Sequence, residues 1–278
     1  MEVTTPAGHV RKLQSLRLGS SRYLLTHTRL LLRSTRNDIA GRFAGSMLGI
    51  GWVFAAPTLI LAVYGLVYVA IYRIKAPGMS STVYVLYVFA GLVPFLMTSE
   101  ALTTGTSSVI SNKAVLSNTV FPIDLAPVKS VLASMATMVV GSVVIICGVT
   151  FTGNLHWPIV LFPIVLVLHL FWLIGLVWIL SLLNVLFRDI QNLLTALLMM
   201  LLVLSPIAYV PTQVPESLKP LLALNPFAYF IVAYQRLMIL GAVPSTKHFI
   251  GLIVLSGGTF ALGSWFFSRA KQVVIDYV

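Results

Sequence analysis

Charged side chains are scarce in this sequence: Asp, Glu, Lys and Arg make up 9% of 278 residues, against roughly one quarter in soluble domains. A water-soluble fold could not hide the rest, because 58% of the chain is apolar and the mean hydropathy is +0.98. Cysteine is nearly absent too. The single Cys147 lies inside an apolar block, so no disulfide within the chain is available. A phosphate-cradling loop of the form G-x-x-x-x-G-K-S/T is missing, which excludes ATP hydrolysis by this chain. The histidines His9, His27, His156, His169 and His248 are scattered, and no His, Cys or carboxylate pair has metal-ligand or acid/base spacing on one helix. Neither catalysis nor a resident metal or cofactor is therefore expected. The first 46 residues hold no apolar run long enough for a cleavable signal. Membrane targeting is expected to fall to the first apolar block.

Apolar residues come instead in charge-free blocks of about 20 residues or more, the length a helix needs to cross a hydrocarbon core of about 30 Å. Apolar on every side, these blocks lack the alternation of an outer-membrane strand. The expected class is an all-α membrane protein. Residues Met47 to Ile71 predict a first spanning helix and Val83 to Ser99 a second, closed by Glu100. From Lys129 to Arg188 there is no internal charge, and Thr152-Gly-Asn-Leu-His-Trp-Pro158 breaks the stretch into a third and a fourth helix. Ile190 to Tyr209 and Phe249 to Ser268 complete six crossings. The ionisable groups that proton- or sodium-coupled carriers place at the midplane are almost absent from them.

Six crossings put both termini on one side. That side carries Arg11, Lys12, Arg17, Arg22, Arg29, Arg33, Arg36, Arg42, Lys113, Lys129, Arg188, Arg269 and Lys271, thirteen basic residues, against five on the other. The bias predicts cytoplasmic termini, and it explains the net charge of +11 without nucleic acid. Residues 211–248 are too apolar for a simple loop, yet the block from Pro220 to Gln235 is only 16 residues long. Two short helices forming a re-entrant hairpin on the outer side are expected there.

Arg22, Arg29, Arg33 and Arg36 are spaced 7, 4 and 3 apart and share one helical face, with Leu24, Thr28, Leu31 and Thr35 opposite. This pattern predicts a helix in the headgroup plane, with Arg42 at its end, arginines toward phosphates and leucines toward acyl chains. The chain thus divides into a basic N-terminal segment, 1–42, and a six-span domain, 43–278. Tyr64, Tyr68 and Tyr72 form a stripe on the first span, suited either to stacking on sugar faces or to an interfacial aromatic belt. Arg188 and Asp189 are adjacent opposite charges in a tight turn, readable as a surface ion pair or as a contact for a partner. Glu100 reads as a snorkelling interfacial carboxylate or as a substrate or partner contact. Asn225-Pro226 has the signature of a helix cap followed by a first-turn proline.

In order along the chain stand Arg42-Phe-Ala-Gly-Ser46-Met-Leu48-Gly49-Ile-Gly-Trp52 with Pro57, Gly91-Leu-Val-Pro94-Phe95, Phe121-Pro122, Asn184 with Arg188-Asp189, Ser205-Pro206-Ile207, Pro215-Glu216, and Leu224-Asn225-Pro226. This series resembles the transmembrane subunits of ABC-2 type polysaccharide exporters, which export O antigen, capsule or teichoic acid. The resemblance covers the chain from about residue 36. One departure is Thr119, which stands where members often have a Lys two positions before the Phe-Pro pair.

The resemblance implies the channel-forming subunit of an ATP-driven exporter in the bacterial inner membrane. It implies a homodimer with two copies of a nucleotide-binding ATPase subunit, which would carry ATP and Mg, and a lipid-linked glycan as substrate. It assigns Asn118, Phe121, Pro122, Arg188 and Asp189 to contact with the ATPase. Pro215, Glu216, Asn225, Pro226, Tyr229 and Tyr234 are assigned to a periplasmic gate. Rival readings are an ABC-2 exporter of a small hydrophobic compound and a stand-alone secondary carrier or lipid flippase. A membrane glycosyl- or phosphotransferase is disfavoured, because the cytoplasmic loops supply only Asp38, Asp124 and Asp189 besides scattered basic groups.

Overall fold

The computed structural model of the chain describes residues 24, 27–42, 45–67, 79–112 and 122–275. Helices α1 (Thr28–Arg42), α2 (Trp52–Leu66), α3 (Ser81–Ser111), α4 (Leu125–Phe151), α5 (Phe162–Leu186) and α6 (Ile190–Leu204) are followed by the short α7 (Lys219–Leu224), then α8 (Pro226–Met238) and α9 (Thr246–Ile275). Among the described residues there is no strand. Four segments are long and apolar enough to cross a membrane: Ser81–Ser111, Leu125–Phe151, Trp157–Leu186 and Thr246–Lys271. Two shorter apolar helices, Trp52–Leu66 and Ile190–Leu204, accompany them. The molecule is a multi-pass helical membrane protein.

Local chemistry sets where the helices stop. Gly153 takes φ +69° after Phe151, a left-handed conformation that glycine adopts without strain and that ends a helix. The chain then turns through a short 3-10 segment, Trp157–Leu161, with Pro158 in its first turn. Helix α3 runs on to Ser111, well beyond the expected end near Glu100. Several of its hydroxyls bond within the helix itself: Thr98 donates to the Pro94 carbonyl at 2.7 Å, Thr104 to the Glu100 carbonyl at 2.7 Å and Ser108 to the Gly105 carbonyl at 2.7 Å, so a polar sequence remains helical. Helix α6 ends at Leu204, five residues before the expected Tyr209. Pro206 disfavours helical backbone at the residue before it, and Ser205 is extended at ψ 147°. Helix α2 begins at Trp52 after a 3-10 turn, Gly49–Gly51, rather than at Met47; residues 68–71 of that expected span lie outside the described residues.

Tight backbone approach organises the bundle. α5 and α9 run parallel, and a methyl added at Gly175 would strike the backbone of Thr259, while one at Gly263 would strike the backbone of Gly175. α3 and α4 run antiparallel, with Val93 against Gly141 and Leu86 against Gly148. Close packing of this kind supplies the dispersion contacts that hold helices together where lipid removes the hydrophobic difference between inside and outside. Hydrogen bonds pin one end of the bundle: Asn184 Nδ2 of α5 donates to the Thr106 carbonyl of α3 at 3.2 Å, and Gln191 Nε2 of α6 to the Thr103 carbonyl at 3.2 Å. Lys129, Arg188, Arg269 and Lys271 gather at this basic end.

Helix α8 starts at the expected Asn225-Pro226 cap but lies buried within the bundle. Its side chains Phe230, Ala233, Tyr234 and Leu237 are 0–1% exposed, whereas α7 carries no buried residue. Phe227 meets Phe95 at 5.7 Å and Trp172 at 5.4 Å between ring centroids. Since Phe95 lies midway along the 31-residue α3, the start of α8 penetrates to the middle of the bundle. It climbs from there to Gly241, whose φ of +59° turns the chain beside the His156 ring.

Candidate functional site

Two cavities lie in line along α3, beneath α2. The first, about 280 Å³, is lined by Ile39 of α1, Trp52, Pro57 and Ile60 of α2, Leu96 and Glu100 of α3, and Thr137 of α4. The second, about 260 Å³, lies between Tyr64 of α2, Leu92 of α3, Leu202 and Val203 of α6, and the bend carrying Ser205, Ile207 and Tyr209. Leu92, Leu96 and Glu100 are four residues apart, so both cavities share one face of α3. Further toward the basic end that face continues as half-buried Thr103, Thr104 and Ser107.

Polar groups are set into this otherwise apolar face at Glu100, Thr103, Thr104 and Ser107. Glu100 Oε2 accepts from Thr137 Oγ1 at 2.7 Å. Thr104 and Ser107 donate to carbonyls of their own helix, which leaves their oxygen lone pairs as acceptors for a passing donor. At the other end Tyr64 and Tyr209 offer ring faces, and the Tyr209 hydroxyl donates to the Leu204 carbonyl at 2.6 Å. Among the described residues no group of three His, Cys, Asp or Glu could hold a metal ion.

The bend that borders the second cavity is held from α8. Gln235 Nε2 lies within hydrogen-bonding distance of the carbonyls of Pro206 at 2.9 Å, Ile207 at 3.2 Å and Tyr87 at 3.4 Å. Tyr84 donates its hydroxyl to the Ala208 carbonyl at 2.6 Å. Backbone freed by Pro206 thus finds side-chain partners within the bundle, which is how broken helices persist at membrane depth. A second buried network crosses three helices: His169 of α5 lies 2.9 Å from Thr98 Oγ1 and 3.3 Å from the Tyr234 hydroxyl, stacked on Phe230 at 4.3 Å.

The residues expected from the sequence fall in different surroundings. Tyr64 borders the second cavity, while Tyr68 and Tyr72 lie outside the described residues. In α1, Arg29, Arg33 and Arg36 are exposed and Leu31 and Thr35 are buried; Arg22 and the side chain of Arg42 lie outside the described residues. Pro122 is half-buried, and Asn118 and Phe121 lie outside the described residues. Arg188 and Asp189 are exposed in the turn between α5 and α6. The hairpin residues divide: Pro215 and Glu216 are exposed, with Glu216 paired to Lys219, whereas Asn225 and Tyr234 are buried inside the bundle. Asn225 Oδ1 accepts from the Phe227 amide at 2.9 Å with Pro226 in the first turn, and the Tyr229 carbonyl lies 2.8 Å from His248 Nε2.

Gln235, His169 and the pair Asp124–Lys271 are not among the site residues that the sequence singles out. Nothing adjacent marks their role, since each finds its partner on another helix.

A bundle of apolar helices, four of its segments long enough to cross a membrane, is the architecture of an integral membrane protein. The chain belongs to the ABC-2 type transporter family, whose profile matches residues 29–239. Similarity extends to the O-antigen export system permease protein RfbA of Myxococcus xanthus, 28% identical over 255 residues that make up 90% of this chain and 96% of that protein. Two permeases of the same name from Klebsiella pneumoniae are 27% and 26% identical, over 81% and 82% of this chain and 87% and 86% of their own lengths.

Proposed function

We propose that this chain is the channel-forming subunit of an ATP-driven exporter that moves a lipid-linked polysaccharide, of the O-antigen class, across the bacterial inner membrane. The observation that carries the reading is the match, over 90% of this chain and 96% of the relative, to a permease named for O-antigen export. The side of α3 that carries Glu100, Thr103, Thr104 and Ser107, with Tyr64 and Tyr209 toward its far end, suits a glycan that offers hydroxyls at its edges and C–H faces for stacking. In this reading the four long helices together with α2 and α6 make six crossings, and both termini are cytoplasmic because the basic end faces inward. Helix α1 lies at the inner headgroups, Arg29, Arg33 and Arg36 toward phosphate. α7 and α8 form the outer re-entrant hairpin.

Energy comes from a separate nucleotide-binding subunit that holds ATP and Mg, two copies serving a homodimer of this chain. Exposed Leu193, Leu197, Met200 and Val203 on α6, and Leu59, Val63 and Leu66 on α2, are surfaces that a second copy and acyl chains would cover. The loop ahead of α4 meets the ATPase. Co-purification with a nucleotide-binding subunit from the same cells, followed by reconstitution, tests the reading: the isolated chain should hydrolyse no ATP, and the pair should hydrolyse ATP and move a polyprenyl-linked glycan. Turnover by the chain alone, or export of small hydrophobic compounds but not glycan, would refute it.

A further inference from the structure

Asp124 sits two residues past Pro122, at the point where the loop ahead of α4 becomes helix. Its carboxylate takes both contacts of a buried ion pair, with Lys271 Nζ of α9 3.0 Å from Oδ1 and 3.1 Å from Oδ2. Each side chain is 2% exposed. The Asp124 carbonyl meanwhile accepts from Trp178 Nε1 of α5 at 3.1 Å, and the Trp178 ring packs against Phe267 of α9 at 6.1 Å. One residue therefore binds the end of the loop to both α5 and α9.

Those two helices are already locked by the backbone approach at Gly175 and Gly263. Both side chains are almost fully buried, so water cannot replace the contact, and pulling Asp124 away from Lys271 is strongly opposed. Displacement of the loop end must then carry the α5–α9 unit with it. The other ion pair on α4, Lys129 with Asp38 of α1 at 3.2 Å, is a weaker constraint, because Asp38 is 33% exposed and can be solvated when the pair opens.

We propose that Asp124 and Lys271 are the positioning pair that carries movement of this loop into the α5–α9 unit, and so couples ATP turnover on the partner subunit to opening of the path. The proposal rests on the exporter reading above, in which the loop meets the ATPase.

The test uses the complex with the ATPase subunit, reconstituted, with ATP hydrolysis and glycan export measured together. Asp124→Leu with Lys271→Met keeps the site filled and removes both charges. This double variant should assemble and hydrolyse ATP at the unaltered rate, while glycan exported per ATP falls about tenfold. Asp124→Lys with Lys271→Asp, which restores a pair with reversed polarity, should return export toward the unaltered level. Unchanged export per ATP in the apolar variant would overturn the proposal, as would failure of that variant to assemble, which would make the pair an element of folding alone. If the unaltered complex neither hydrolyses ATP nor exports glycan, the exporter reading itself falls, and the coupling role with it.

Discussion

Asn225 Nδ2 donates to Ser205 Oγ at 2.9 Å, joining the residue that starts α8 to the one that ends α6 across 20 positions of chain. Everything between them, including both single 3-10 turns and α7, is an arch closed at its base by this bond. The same Asn225 caps α8 through its carbonyl oxygen, so one side chain serves both the helix and the closure.

Asn225→Ala should therefore lose a helix cap and leave the Ser205 hydroxyl in need of a partner, together about 2–3 kcal/mol. Ser205→Ala should cost about 1 kcal/mol, because the cap survives. Unfolding in detergent against increasing SDS, followed by tryptophan fluorescence, gives the comparison. Equal losses in the two variants would show that the cap contributes nothing.

Glycines in α5 and α9 should divide sharply. Gly175→Ala and Gly263→Ala put a methyl onto backbone that cannot yield, and each should lower stability by about 1–3 kcal/mol by forcing the helices apart. Gly257→Ala and Gly258→Ala meet nothing within 4 Å and should be neutral or stabilising by up to about 1 kcal/mol through helix propensity. Thermal melting of the purified variants decides, and a uniform response at all four positions would contradict the packing.

Export should depend on the tyrosine stripe if it lines the path. With Tyr64→Ala and Tyr68→Ala together, two stacking platforms of about 1 kcal/mol each disappear, while membrane insertion survives on Leu59, Ile60, Leu61, Val63 and Leu66. Surface polysaccharide in cells holding matched amounts of protein should fall. An aromatic belt would give the opposite pattern, with Tyr72→Ala disturbing stability and Tyr64→Ala without effect.

Both ends of the hairpin should lie on one side of the membrane. Ser217 and Ser245 are exposed, and cysteines introduced at either should react with an impermeant maleimide from the periplasm. Labelling from opposite faces would reveal an additional crossing within 211–248 and reverse the placement of the C-terminus.

What could be read from the sequence was whatever depends on neighbours along the chain. Gly153 before Pro158 marked the break between α4 and α5, since a left-handed glycine and a ring-locked φ are local backbone constraints. Asn225-Pro226 marked the start of α8 for the same reason, and the arginine spacing in α1 marked a face that the structure leaves exposed. The overrun of α3 past Glu100 was less legible, because hydropathy reports side chains and misses hydroxyls that bond to their own helix.

Tertiary structure alone decided which faces meet. The apolar run from Pro220 to Gln235 carries no sign that α8 enters the bundle as far as Phe95, because burial against protein and burial against lipid select the same side chains. Lys271 looks in sequence like one more basic residue on the inner side, and its partner Asp124 lies 147 positions away. Gln235 is likewise one polar residue on an apolar helix until α8 docks and brings its amide to carbonyls left open by Pro206. Local chemistry fixes where each helix begins and ends, and only long-range packing brings the Asp124 carboxylate to Lys271 and the Gln235 amide nitrogen to its carbonyls, contacts that a low-dielectric interior rewards.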